Sequence, residues 1–266
     1  MTSNDEQYHV ELAPGDVEGP VLLPGDPDRI DVITDQWDEV VEIASHREYR
    51  TVRGQYDDEP LAATSTGIGS PSAAIAVEEL ARVGVETFLR VGSCGAIQPG
   101  IDVGDLIITT AAVRQEGTSG EYIRETYPAA AHTDVVTALV AAAERLGYDY
   151  HVGVTCSTDS FYAGQARPGV DEFEAAGAQA DFEELRNAGV LNFEMEASAI
   201  LTLAGIYGLR AGAVCSAYAN RLTGEFRTEG DSKAAETASL AASILAEMDR
   251  ETAAADAERW HPGLRE

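Results

Sequence analysis

An arginine set inside an apolar run has to find a partner. In Phe88-Leu89-Arg90-Val91-Gly92-Ser93-Cys94-Gly95-Ala96 the guanidinium of Arg90 is carried indoors by its neighbours, and a buried guanidinium requires an anion or a full set of acceptors. Ser93 adds a hydroxyl and the flanking glycines free the backbone, a combination that suits a bound oxyanion. A salt bridge to one of the chain's many carboxylates is the structural alternative. A second such stretch is Leu22-Leu23-Pro24-Gly25-Asp26-Pro27-Asp28-Arg29. There Gly25 can offer backbone N–H groups and Arg29 a bidentate fork, just beyond a strand, where α/β sheets bind ligands. The same residues also read as a strand-to-helix turn with a surface arginine.

Carboxylates come as a pair in Phe193-Glu194-Met195-Glu196-Ala197. In an extended segment Glu194 and Glu196 face the same way, and carboxylates accept hydrogen bonds from vicinal hydroxyls such as those of ribose. Acids in the first turn of a helix also complement its dipole. Phe161-Tyr162-Ala163-Gly164-Gln165-Ala166-Arg167 joins an aromatic platform to an amide and a guanidinium. An amide with donor and acceptor, next to a cation, matches the O2, N3 and O4 edge of a uracil ring. Thr66-Gly67-Ile68-Gly69-Ser70-Pro71-Ser72 follows a strand and opens a helix as a dinucleotide fingerprint does, but Ser72 replaces the third glycine and the pattern is not in a first βα unit. No Walker A sequence occurs.

These residues need a frame. Val21 to Leu23, Leu61 to Thr66, Thr87 to Val91, Leu106 to Ala112, Val152 to Ser157 and Ala211 to Ala219 are short β-rich runs that alternate with helical stretches. Ser70 and Pro71 supply an N-cap and a first-turn proline for a helix to about Arg82, closed by Gly84. Thr133 to Leu146, Glu196 to Tyr207 and about Lys233 to Met248 read as further helices. The alternation predicts one α/β domain over residues 1–266, a mixed and largely parallel sheet flanked by helices. Pro168 to Asp181 is the candidate lid, and the polar tail, about 252–266, is expected to fray.

Composition excludes several functions. The start MTSNDEQYHV lacks the basic and apolar regions of a secretory signal, and no run of about 18 apolar residues occurs, so a soluble cytoplasmic protein is expected. Cys94, Cys156 and Cys215 lie far apart with no CxxC, which indicates neither disulfides nor zinc. With 46 acidic against 18 basic residues the formal charge is −28, unsuited to nucleic acid or anionic membranes. The acid is spread along the chain, which predicts a solvated acidic surface suited to a salt-rich, halophilic cytoplasm.

In order and spacing, GDPDR, SHRE, STGIG, RVGSCGAIQPGIDVGD, FYAGQAR, NFEMEAS and ANR resemble the uridine phosphorylases of the trimeric and hexameric nucleoside phosphorylase family, from about Tyr8 to Arg221. The first and fourth motifs are shared with purine phosphorylases, whereas FYxGQxR and the Asn-Arg ending discriminate. The resemblance implies that Gly25, Arg29, Arg90 and Ser93 bind phosphate, with Arg47 reaching it from a neighbouring subunit. It implies that Met195 and Glu196 hold the ribose, with His9 of the neighbour near its 5′-hydroxyl. Gln165 and Arg167 would grip the uracil edge, Phe161 would pack on the base and Arg221 would support the distal carbonyl. Glu48, Ile68 and Ser72 match a K⁺ or Na⁺ site between subunits. Cys94 stands where a second hydroxyl is usual, and Ala163 where FYxGQ has a proline.

The implied reaction is reversible phosphorolysis of uridine to uracil and ribose 1-phosphate, with deoxyuridine and thymidine as further substrates. Phosphate attacks C1′ as the glycosidic bond loosens; Arg90, Arg167 and Glu196 are the catalytic set. Arginines position the dianion, and Arg167 with Gln165 stabilises charge growing on the base. Neither a general acid nor a cofactor is required. Purine phosphorylases typically carry an aspartate near the position of Asn220 to protonate the base, which Asn220-Arg221 cannot do. A silent nucleoside-binding protein is the rival from another class. A homo-oligomer is implied, at least a dimer and by family a hexamer built as a trimer of dimers.

Overall fold

Strands that are buried on both faces are apolar throughout, because helices cover them front and back. The computed structural model, which describes residues 5–265, shows this at its centre. Its strands are β1 (Val21–Pro24), β2 (Asp38–His46), β3 (Tyr49–Tyr56), β4 (Glu59–Thr64), β5 (Thr87–Ala96), β6 (Leu106–Gln115), β7 (Ala129–Ala130), β8 (Tyr150–Thr158), β9 (Asn192–Glu194), β10 (Arg210–Asn220) and β11 (Glu225–Phe226). Its helices are α1 (Arg29–Thr34), α2 (Ser70–Arg82), α3 (Thr118–Tyr122), α4 (Thr133–Leu146), α5 (Ala178–Asn187), α6 (Ala197–Tyr207) and α7 (Asp231–Ala254). All strands join one mixed sheet, ordered β11-β10-β6-β8-β9-β5-β1-β4-β3-β2, with β7 on β6. β5 also pairs with β10 in parallel over its whole length, so β5, β10, β6, β8 and β9 close into a ring.

The two faces carry separate cores. Leu22, Leu89, Ile108 and Val214 pack under α1, α4 and α7, while Val21, Leu23, Phe88 and Ala213 pack under α2 and α6. Alternation along β1 thus sends Val21 and Leu23 to one core and Leu22 to the other.

The structure corrects the sequence reading at several points. β2 and β3 form a hairpin that hydropathy missed, because nearly every β2 side chain is exposed or half-buried and no apolar alternation marks it. Gly69, with φ of 98°, caps α2, which puts Ser70 and Pro71 inside the helix. α6 begins at Ala197, with Glu196 as its cap. The last four residues of the expected lid are already the first turn of α5. The tail does not simply fray. α7 continues to Ala254, and beyond it Trp260 Nε1 donates to Glu251 at 2.6 Å while Arg265 pairs with the same carboxylate.

Candidate active site

The strand ends of β1, β5, β9 and β10 open onto a cavity of about 290 Å³. One end is cationic. Gly25 lies in the turn leaving β1, Arg29 is the first residue of α1, and Arg90 and Ser93 come from β5. Arg90 is 4% exposed. Its Nε donates to Glu194 Oε2 at 2.7 Å, its Nη2 pairs with the Glu196 carboxylate, and its buried Nη1 has no partner among the described residues. The salt-bridge reading of Arg90 is therefore correct for two of its nitrogens, and the expectation that its partner is a ligand rather than a protein carboxylate is revised. Nη1 is left for a ligand. Arg29 Nη2 donates to the Tyr218 hydroxyl at 3.2 Å, and its Nε lies 3.4 Å from Asp231 Oδ1.

The paired acids take different parts. Glu194, which lines the cavity, accepts from Ser157 Oγ, Arg90 Nε and the backbone N–H groups of Glu196 and Ala197, and so ties β9 to the start of α6. Glu196 accepts from Gly69 N–H and meets Arg90. Burial lifts its carboxyl above the ordinary range; Arg90 opposes this and the Glu194 charge adds to it. Met195 lines the cavity between them.

The other end is built by the segment after β8. Ala163–Gln165 form a single 3₁₀ turn, and Gly164 fits there because a Cβ would fall 2.1 Å from Thr158 Oγ1. Phe161, Gln165 and Arg167 all line the cavity. The Arg167 guanidinium sits 4.4 Å from the centre of the Phe161 ring, its buried Nε without a partner among the described residues, and burial lowers its pKa. Arg221 acts from behind, donating to the carbonyls of Gln165 (2.6 Å) and Ala166 (3.1 Å). Burial, and then the charge of Arg167, push its pKa down to about 10. Asn220 faces the core and donates to the carbonyls of Gln98 and Ile101.

Of the remaining candidates, Arg47, His9, Glu48 and Ser72 do not line the cavity of their own chain. Arg47, with φ of 57°, rests over the ring of Tyr8, and His9 Nδ1 lies 2.6 Å from Glu79 Oε1. Ser72 Oγ donates to the carbonyls of Ile68 (3.3 Å) and Gly69 (3.1 Å), and Glu48 and Ser72 flank Gly67. Ile68 itself is exposed at the cavity mouth. Sequence reasoning missed Ser157, Tyr218 and Asp231. Tyr218 is three residues from the ANR arginine it never joined as a candidate, and its partner Arg29 is 189 positions away.

A mixed sheet with guanidinia at one end of a cavity, a buried carboxylate in the middle and an amide with a third guanidinium at the other end defines an enzyme that transfers a sugar to an oxyanion. Residues 21–248 match the family model of the phosphorylase superfamily, and the chain belongs to that family. It is 57% identical over 265 residues to a uridine phosphorylase of Thermococcus kodakarensis (100% of this chain, 96% of the relative). It is 43% identical over 253 residues to a uridine phosphorylase of Escherichia coli (93% and 98%). A guanosine phosphorylase of Halorubrum lacusprofundi is 44% identical over 219 residues (82% and 86%).

Proposed function

We propose that this chain is a uridine phosphorylase, a pentosyltransferase that converts uridine and inorganic phosphate reversibly into uracil and ribose 1-phosphate. The observation that carries the reading is the base end: Gln165 and Arg167 line it, while the amide of Asn220 is committed to backbone carbonyls. Pyrimidine departure needs stabilisation of charge on O2 and N3, which an amide and a guanidinium supply. Purine departure is helped by a proton donor, and the carboxyl groups that line the cavity are those of Asp26, Glu194 and Glu196, of which Glu194 and Glu196 are engaged by Arg90. Phosphate bound by Gly25, Arg29, Arg90 and Ser93 attacks C1′, and Glu196 with Met195 holds the ribose. The guanosine phosphorylase relative supports a purine reading as the alternative. Incubation with phosphate and either uridine or guanosine, followed by chromatography of base and ribose 1-phosphate, separates them. Faster turnover of guanosine overturns the uridine reading, and binding without release makes the protein a sensor.

The reaction moves no electrons and calls for no redox group. Glu48, Ile68 and Ser72 are the residues that would offer oxygen atoms to a hard monovalent cation, K⁺ or Na⁺, and three residues of one chain are too few to enclose it. That supports a second copy completing the site. The position of Arg47 and His9 outside their own cavity supports the same two-fold arrangement, as do the exposed Val40 and Val41 on β2. A hexamer is the proposed assembly. No helix among the described residues is long and apolar enough to cross a membrane, and a cytoplasmic site of action is part of the proposal. The charge of −28 supports adaptation to salt. At about 1 M KCl the screening length shrinks to roughly 3 Å, so stability and phosphate affinity should both rise from low to molar salt; a flat melting curve against salt refutes the halophilic reading alone.

A further inference from the structure

Arg29 is held along the same edge as Arg90 but more loosely, its Nε 3.4 Å from an Asp231 Oδ1 that makes no hydrogen bond among the described residues. In each guanidinium the edge formed by Nε and Nη2 faces protein groups, Glu194 and Glu196 for Arg90, Asp231 and Tyr218 for Arg29. In each, Nη1 makes no hydrogen bond to protein among the described residues. The partners of Arg29 are themselves placed with care. Tyr218 lies where the register of β10 against β5 slips, between the pairs Ala217–Cys94 and Ala219–Gly95, and such irregularities re-aim side chains beside active sites. It lines the cavity, with Arg29 Cζ 5.8 Å from its ring centre. Asp231 opens α7 directly after Gly230, whose φ is 91° and whose Cβ, if it had one, would fall 2.1 Å from Ser216 Oγ. Ser216 Oγ donates to the Glu229 carbonyl at 2.9 Å, which pins this segment to β10 two residues from Tyr218. The approach therefore requires glycine, and its result is a carboxylate beside Arg29.

We propose that Tyr218 and Asp231 are positioning residues for phosphate, fixing the inner edge of Arg29 so that Nη1 meets the anion as Nη1 of Arg90 does. The inference rests on the phosphorylase reading. A guanidinium without such partners samples many rotamers, and holding one edge removes that cost from the binding step. The hydroxyl of Tyr218 and the charge of Asp231 act through Arg29.

Tyr218→Phe keeps the ring and removes the hydroxyl, and Asp231→Asn keeps the shape and removes the charge. For each variant kcat and the KM values of phosphate and uridine are measured separately, together with the rise in melting temperature that phosphate alone produces. The phosphate KM is expected to rise about tenfold in each, the uridine KM to stay unchanged and the phosphate-induced melting shift to shrink. An unchanged phosphate KM in Tyr218→Phe overturns the inference. A lower phosphate KM in Asp231→Asn also overturns it, since the carboxylate then competes with phosphate instead of placing its arginine. Should Asp231→Asn fail to fold, Tyr218→Phe alone decides. If the wild-type protein releases no ribose 1-phosphate, the phosphorylase reading fails, and the phosphate-induced melting shift still decides whether the two residues serve an anion at Arg29.

Discussion

Two carboxylates share one guanidinium beside the cavity, and this imbalance governs how each residue there responds to change. Arg90→Ala leaves Glu194 and Glu196 buried without their cation, so we expect a loss of about 3–5 kcal/mol in denaturant unfolding along with loss of phosphorolysis. An inactive variant of wild-type stability would mean that the pair rearranges around water. Glu196 gives the opposite sign. A carboxyl whose folded pKa is raised binds more protons folded than unfolded, so its contribution is full below the ordinary value of 4.5 and is lost as pH rises through the raised one. Glu196→Gln cannot ionise. Whatever constant cost its amide carries, the stability gap to wild type should therefore narrow as pH climbs from 4.5, and a gap that widens would contradict the assignment. The sequence made Arg90 legible as a buried cation because its neighbours are apolar. It hid the partner, because Glu194 reaches Arg90 only through the short antiparallel pairing of β9 with β5, which joins Gly95 to Phe193 across about a hundred residues.

At the scale of elements, the strand that carries Arg90 must also leave it room. A Cβ on Gly92 would fall 2.8 Å from Arg90 Nη2 and 2.9 Å from Cys215 Sγ, on the strand paired with it. Gly92→Ala should then push the guanidinium off Glu196 and cost about 1–3 kcal/mol by overpacking. We expect the phosphate KM to rise well beyond the uridine KM, measured by initial rates with each substrate varied in turn. Equal effects on both would show that the strand shifts as a whole. Helices and buried strands were legible because caps, glycines and apolar periodicity mark them, as in α4 with its left-handed Gly147. β2 was not, since an exposed strand has no apolar period to read. β9 was not either, since three residues in a strand are too few to show any period.

At the scale of the whole molecule, the sequence announced the acidic surface and the α/β class, but not the closing of the sheet through β5 and β10, which joins residues more than a hundred apart. Nor could local pattern show which chain completes a cavity. Arg47 and His9 lie away from the cavity of their own chain, Arg47 stacked on Tyr8 and His9 tied to Glu79. If a second copy presents them to it across a two-fold axis, Arg47→Ala and Glu196→Ala disable different halves of every site. A dimer with one copy of each then gathers both lesions in one site and leaves the other wild type. With random pairing about half of the dimers are mixed, so about a quarter of all sites are intact. Co-expression of the two variants under different tags, followed by purification through both, should recover activity that neither variant has alone. A site contained within one chain cannot give that result, because each would carry one lesion. An inactive assembly shown by mass to contain both variants would confine Arg47 to its own chain or remove it from the reaction.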